Sequence, residues 1–217
     1  MKYTTTGEIA QNVRLDLDPG ESFWASNGSL MAHTTGVHWR LKIPGGLGGA
    51  ARRSLAGEGL ALTFVETEAE GQHVLLAANA PGHVTPWILD DGPVLTTRGS
   101  FLAAWGADVN ITVTIARRAG AALFGGAGLF LQRVAGSGTA LIHGSGDFYE
   151  RQLTAGEQLL VSTGNLAAFS DGIDYDIQGV SGLRNILFSG EGLFMTRLSG
   201  PGRVLLQTLK RKVGKKG

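Results

Sequence analysis

The feature that most constrains this chain is a glycine motif written more than once. Gly190-Glu191-Gly192-Leu193-Phe194 runs on through Arg197 to Gly200-Pro201-Gly202 and Leu205. Gly126-Ala127-Gly128-Leu129-Phe130 runs on through Arg133 to Gly136-Ser137-Gly138 and Leu141. A shorter version, Gly57-Glu58-Gly59-Leu60, follows Arg53. A second motif recurs beside it. Leu17-Asp18-Pro19-Gly20-Glu21 precedes Asn27-Gly28-Ser29, Leu89-Asp90-Asp91-Gly92 precedes Arg98-Gly99-Ser100, and Leu153-Thr154-Ala155-Gly156-Glu157 precedes Thr163-Gly164-Asn165. Upstream of each stands a glycine with a polar residue: Gly7-Glu8, Gly82-His83 and Gly146-Asp147. A repeat of this period marks a supersecondary unit that cannot bury its apolar face alone. The spacing predicts one domain over 1–209, built from three units at approximately 1–70, 71–141 and 142–209 about a pseudo-threefold axis. A basic tail, 210–217, follows.

Each unit reads as strands. Val109 to Ile115 alternates apolar and polar and is rich in β-branched residues, the pattern of a half-buried strand. Ile173 to Ile177 alternates too, after the turn pair Asp171-Gly172. Val74 to Ala78 and Asn185 to Phe188 are continuously apolar enough for strands buried on both faces. Glycine is the compositional outlier, 34 of 217 residues without a collagen period, and points to tight turns and bulges. Helix is expected only in short pieces, at Val204 to Lys212 and near Ala116 to Leu123. The glycine-rich stretches 44–49 and 119–128 read as mobile loops. The expected fold class is all-β.

The residue types exclude much chemistry. The chain has no cysteine, so disulfides, thiolate nucleophiles and cysteine-ligated metals are ruled out, and a reducing cytoplasm fits. The five histidines, His33, His38, His73, His83 and His143, include no His-x-His pair, and only His33 and His38 are close enough in sequence to converge across a turn. Asp171 to Asp176 lacks the glycine and terminal Glu of a calcium loop. The stretches at Gly45 to Gly49 and Gly125 to Gly128 are not followed by Gly-Lys-Ser or Gly-Lys-Thr, and no Gly-x-Ser-x-Gly elbow occurs. Glu66 with Glu68 reads as one polar strand face, and Asp90-Asp91 as a turn. No catalytic residue, metal ligand or cofactor site is assigned.

No signal-peptide core opens the chain, and its longest uncharged apolar run, Ala119 to Gln132, falls short of the ~20 residues a spanning helix needs. Net charge is +1, yet its distribution is uneven. Lys210, Arg211, Lys212, Lys215 and Lys216 crowd the last eight residues, leaving 14 basic against 18 acidic residues in the body. The tail is a candidate contact for an anionic membrane or nucleic acid. Trp39, Arg40 and Lys42, with Arg52 and Arg53, form a second basic stretch with an aromatic. Arg133 and Arg197, with Arg53 as the third, are expected to pair with Glu58, Glu157 or Glu191.

Gly-Glu-Gly-Leu-Phe at 190–194, followed by Gly-Pro-Gly-Arg-Val-Leu-Leu-Gln-Thr at 200–208, resembles the carboxy-terminal signature of the mitochondrial-biogenesis family named for altered inheritance of mitochondria. Pro81-Gly82-His83-Val84 and Ser100 to Ala104 resemble its middle segment. Gly126-Ala127-Gly128 departs from that family's Gly-Glu-Gly, and His83 stands where an acidic residue is usual. The resemblance implies an all-β, double-stranded β-helix or sandwich architecture, similar in fold to the tryptophan RNA-binding attenuation protein. It implies no reaction, cofactor or catalytic residue.

The function expected from these readings is a non-enzymatic, cytoplasmic scaffold or interaction protein that forms homo-oligomers, its protein partner unidentified. The alternatives are a module that binds nucleic acid or anionic membrane through the basic tail, and a cupin-like small-molecule or metal-dependent enzyme.

Overall fold

Turn residues and short apolar runs cut the chain into strands of four to seven residues. The computed structural model describes residues 1–44, 61–116, 129–179 and 194–211. The first strands are β1 (Lys2–Thr6), β2 (Asn12–Leu17), β3 (Ser22–Ala25), β4 (Leu30–His33), β5 (Val37–Lys42), β6 (Leu62–Thr67) and β7 (Gln72–Ala77). The middle ones are β8 (Gly82–Ile88), β9 (Val94–Thr97), β10 (Phe101–Trp105), β11 (Asn110–Ala116), β12 (Leu129–Ala135) and β13 (Thr139–Ser145). The last are β14 (Phe148–Leu153), β15 (Gln158–Ser162), β16 (Leu166–Ser170), β17 (Asp174–Gly179), β18 (Phe194–Ser199) and β19 (Gly202–Gln207). Among the described residues the only helical pieces are single 3-10 turns, Leu89–Asp91 and Thr163–Asn165.

The described strands form four antiparallel sheets, and none closes into a barrel. Their orders are β1-β2-β7-β4, β5-β6-β3-β10-β13-β8, β11-β12-β9-β16-β19-β14 and β15-β18-β17. One pairing pattern recurs along the chain. The seventh strand pairs with β2 and β4, β13 pairs with β8 and β10, and β19 pairs with β14 and β16. Likewise β6 pairs with β3 and β5, β12 with β9 and β11, and β18 with β15 and β17. Two joints fuse these groups. At the first, β3 lies against β10, with Ala25 opposite Ala103 and Trp24 opposite Ala104. At the second, β9 lies against β16, with Thr96 opposite Ala168 and Leu95 opposite Phe169.

Burial follows from the joints. Val13, Leu15, Val74 and Leu76 of the four-stranded sheet pack against Phe23 and Val65. Phe101, Ala104, Ile142, Val134, Ala168 and Leu205 belong to a central cluster. Leu131, Leu153, Leu166, Phe169, Leu198 and Val204 form a third. Strands next to a joint have both faces covered, so Phe101 to Ala104, Ala140 to Ser145 and Leu166 to Phe169 are buried without a break. The expectation of a doubly buried strand at Val74 to Ala78 is corrected. Val74 and Leu76 are buried but Leu75, Ala77 and Ala78 are partly exposed, because β7 sits in a sheet that makes no joint. Asn185 to Phe188 lies outside the described residues.

The repeated motifs acquire physical reasons. In Leu-x-x-Gly-Glu, the glutamate reaches back to cap its own turn: the Asp18 amide donates to Glu21 at 2.9 Å and the Thr154 amide to Glu157 at 2.9 Å. Both carboxyls are held below the usual range; the hydrogen bonds that favour ionisation outweigh burial at Glu21, and those from Thr154 lead at Glu157. The Gly-plus-polar signals also meet. Gly82 is bridged in parallel to Ala10 on one side and to Gly146 on the other. The 204–212 helix expectation is corrected: Gly202–Gln207 is strand β19, held between β14 and β16. Its Val-Leu-Leu run is a short apolar stretch that periodicity cannot assign, and tertiary pairing decides it. Ala116 closes β11, and 117–123 lies outside the described residues.

Among the described glycines, Gly82 is the one where a side chain is least tolerable. Its φ is +152, and a Cβ there would enter the Gly144 carbonyl oxygen and crowd the Gly146 amide. Backbone would have to move on both sides. Gly82→Ala is expected to destabilise the fold by roughly 3 kcal/mol or more, whereas Gly172→Ala, facing open space without a positive φ, should stay within about 0.5 kcal/mol. Urea unfolding midpoints of the two variants make the comparison.

Candidate functional site

Among the described residues, a cluster of buried polar groups lies where the stretch after β19 returns to the middle of the chain. After β19, the Thr208 amide donates to the Asp147 carbonyl at 3.0 Å, Leu209 to Ser145 at 3.0 Å and Arg211 to Gly164 at 2.9 Å. The Asn165 side chain donates to the Gln207 carbonyl at 2.9 Å. Gly146 and Gly164 make room for this strap, since a Cβ on either would collide with it. The strap carries the Arg211 side chain inward, under the turn from Thr97 to Ser100.

Arg211 has five N–H donors in a fixed fork, and all five find acceptors. Nε donates to Ser145 Oγ at 2.9 Å. One terminal nitrogen donates to Ser100 Oγ at 2.5 Å and to the Arg98 carbonyl at 3.2 Å. The other reaches His143 Nδ1 at 2.6 Å and the His143 carbonyl at 3.3 Å. Every one of these acceptors is uncharged, so the cation is held by dipoles. Burial lowers its pKa to about 10, which still leaves it charged at neutral pH.

That geometry fixes the histidine. Arginine only donates, so His143 Nδ1 accepts and the proton of the neutral ring sits on Nε2. His143 is 1% exposed. Its pKa is pushed down to about 4, first by burial, then by the Arg211 charge, with His83 adding a little; the Ala80 backbone pulls weakly the other way. Among the described residues no hydrogen-bond partner reaches Nε2. His83, on the neighbouring strand, lies 3.0 Å from the Gly146 carbonyl and 3.2 Å from Asp147. Serine and histidine are close here, but both serine hydroxyls are bonded to the guanidinium. The cluster holds a cation and fastens the end of the chain to β13.

The residues singled out by sequence fall into separate places. Arg211 of the basic tail is spent in this cradle, Lys210 is exposed, and Lys212, Lys215 and Lys216 lie outside the described residues. Gly57, Gly59, Gly126, Gly128, Gly190, Glu191 and Gly192 also lie outside them, with Arg53 and Glu58. Gly136, Gly138, Gly200 and Gly202 are close-approach points; a Cβ on Gly138 would meet the Trp105 carbonyl. Of the expected Arg–Glu pairs, those of Arg53, Glu58 and Glu191 lie outside the described residues, and Glu157 takes Arg151 instead. Arg133 bonds Asp171 at 2.9 Å across the β9–β16 joint, Arg197 lies 3.9 Å from Asp176, and Glu157 bonds Arg151 at 2.8 Å. Each arginine takes the carboxylate on the neighbouring strand or turn.

His33 and His38 do not converge. His33 stands on β4 and His38 on β5, in different sheets. Among the described residues no group of three His, Asp or Glu side chains is placed to hold a metal ion. In the Trp39 stretch, Arg40 is ion-paired to Glu66 and Lys42 Nζ sits 3.4 Å from the Phe64 ring centroid. No sequence signal marked the cradle; His143 and Ser145 read as ordinary residues of an apolar strand.

Because the folded histidine binds its proton more weakly than the unfolded one, stability depends on pH. It is fully present above the ordinary value of 6.5 and is lost as pH falls toward about 4. The expected loss is on the order of 3 kcal/mol, at about 1.4 kcal/mol for each tenfold weakening of proton binding. Denaturant unfolding from pH 7 to pH 4 measures it, and His143→Gln should flatten that dependence. Arg211→Met should raise the histidine's midpoint in an NMR titration.

A family model described as mitochondrial biogenesis AIM24 matches residues 3–209. An uncharacterized protein of Streptococcus pyogenes serotype M6 is 32% identical over 206 residues, covering 91% of this chain and 81% of that one. A crystal structure of a Streptococcus pyogenes protein superposes with a TM-score of 0.78 at 25% identity, covering 96% of this chain and 94% of that one. Match length, pairwise identity and fold agree, and the chain belongs to the AIM24 mitochondrial biogenesis family.

Proposed function

We propose that this protein is a non-enzymatic scaffold or interaction protein that works as a homo-oligomer in the cytoplasm. The observation that carries the proposal is the state of the sheet edges. Edge strands β4, β5 and β15 leave Met31, Trp39, Leu41 and Leu160 half exposed or more. Exposed apolar edges are templates for further strand pairing unless they are blunted or covered. The cytoplasmic part of the reading rests on the lack of cysteine alone.

The recurrent pairing supports a construction from three units, β2–β7, β8–β13 and β14–β19, with β1 added to the first, in a double-stranded β-helix or sandwich like the fold of the tryptophan RNA-binding attenuation protein. Its breaks would fall at 78–81 and 146–147, after β7 and β13, rather than at 70/71 and 141/142. A pseudo-threefold closure within one chain would require a third joint, from β15 back to β4, and the described strands make two. The anionic-surface reading draws less support, since Arg40, Lys42 and Arg211 are engaged internally.

Native mass spectrometry of the full chain tests the oligomer, with a dilution series through micromolar concentrations. Multiples of the 22.7 kDa chain are expected. A single monomeric species at every concentration would overturn the oligomer. A reproducible turnover by the purified protein would overturn the non-enzymatic assignment.

A further inference from the structure

We infer that β15 of one copy of this chain pairs with β4 of the next, making between molecules the joint that each molecule already makes twice within itself. This interface rests on the homo-oligomer reading and gives it a location.

Register points to this pairing first. At both internal joints the receiving strand carries a one-residue bulge: between Phe101 and Ala103 in β10, and between Leu166 and Ala168 in β16. The fourth strand has the same bulge, between Leu30 and Ala32, though no described strand is paired to its outer edge. The donating strands correspond as well. Leu95 of β9 lies opposite Arg133, and Leu160 of β15 lies opposite Arg197, the matching arginine of the repeated motif. Transferring the antiparallel register of the two joints puts Ala32 opposite Val161 and His33 opposite Leu160.

Burial points the same way. Leu102, the bulged residue of β10, is 1% exposed, and Ala167 of β16 is fully buried. Met31 holds the same place in β4 and is 57% exposed. Leu95, facing across its joint, is 4% exposed, whereas Leu160 is 57% exposed. The bulge position is covered at both joints and bare on β4; the facing position is buried at Leu95, partly buried at Trp24 of β3 and bare at Leu160. One β4–β15 joint would cover both together and would satisfy the open backbone groups of both strands.

A joint between two different edges is heterologous, so each copy offers one donor edge and one acceptor edge. The assembly therefore grows head to tail until it closes into a ring or runs on as a filament.

The chain's lack of cysteine makes the test clean. His33→Cys and Leu160→Cys replace exposed side chains. Under mild oxidation, a mixture of the two single variants should give a covalent dimer of one chain of each kind. The double variant should give larger multiples of the chain mass. A Lys2→Cys, Leu160→Cys mixture, out of register, should stay uncross-linked. A disulfide formed within a single chain of the double variant would overturn the inference, because β15 would then close on its own β4. Met31→Lys with Leu160→Lys, both at exposed positions, should keep the fold by circular dichroism while losing the oligomer in native mass spectrometry. An oligomer that survives this change, with no cross-link at 33 and 160, would place the interface elsewhere and leave the homo-oligomer reading standing. A wild-type monomer throughout would end both.

Discussion

Edge-to-edge pairing between small antiparallel groups is the constraint on which the rest of this structure depends. A six-strand group of some seventy residues has little interior of its own, and domains of that size are marginal. The joints β3–β10 and β9–β16 relieve that shortage. They turn β10, β13, β16 and β19 into strands with apolar neighbours on both faces, and these strands supply the continuous runs of buried Leu, Ile, Ala and Phe. The Arg133–Asp171 ion pair is carried over the second joint by the same contact. Partly exposed as it is, that pair adds little energy and chiefly fixes position.

Much of this organisation was written in the glycines and little of it in the apolar residues. Gly82, Gly138 and Gly146 stand where backbone meets backbone, so their spacing repeats whenever the pairing does. Strand character was equally plain at Val109 to Ile115, where burial alternates at Ile111, Thr112 and Val113. The helix expectation at 204–212 failed for a physical reason. Val204 and Leu205 are buried on opposite faces of a central strand, and an apolar run of that kind carries no period. The unequal fate of β7 was equally hidden. Its residues resemble those of β13, and only the absence of a joint at its sheet leaves Leu75 partly exposed.

The cradle around Arg211 was illegible for a different reason. Five basic residues at a chain end read as a solvated tail, and nothing local distinguishes the one that turns inward. What draws it in is acceptors from three separate stretches: Ser100 with the Arg98 carbonyl, His143 with Ser145, and the Gly164 carbonyl that anchors its backbone. A site assembled from such distant parts leaves no motif. Its signature is energetic: a cation held by uncharged acceptors is tolerable because every donor is bonded.

These two features bear on each other. The strap from Thr208 to Arg211 lies against residues 145–147 and 163–165, so it ties the last group of strands to the middle one. The edge strand β15 runs directly into the 3-10 turn Thr163–Asn165 that receives the strap. Gly164 accepts the Arg211 amide and also the Gln207 side chain at 2.9 Å. Whatever holds Arg211 in place therefore holds the end of β15 in place. A charge on His143 would oppose Arg211 across 2.6 Å with no anion between them, loosening the turn as well as the tail. Through that turn, the cradle and the open edge of β15 are parts of one mechanical unit.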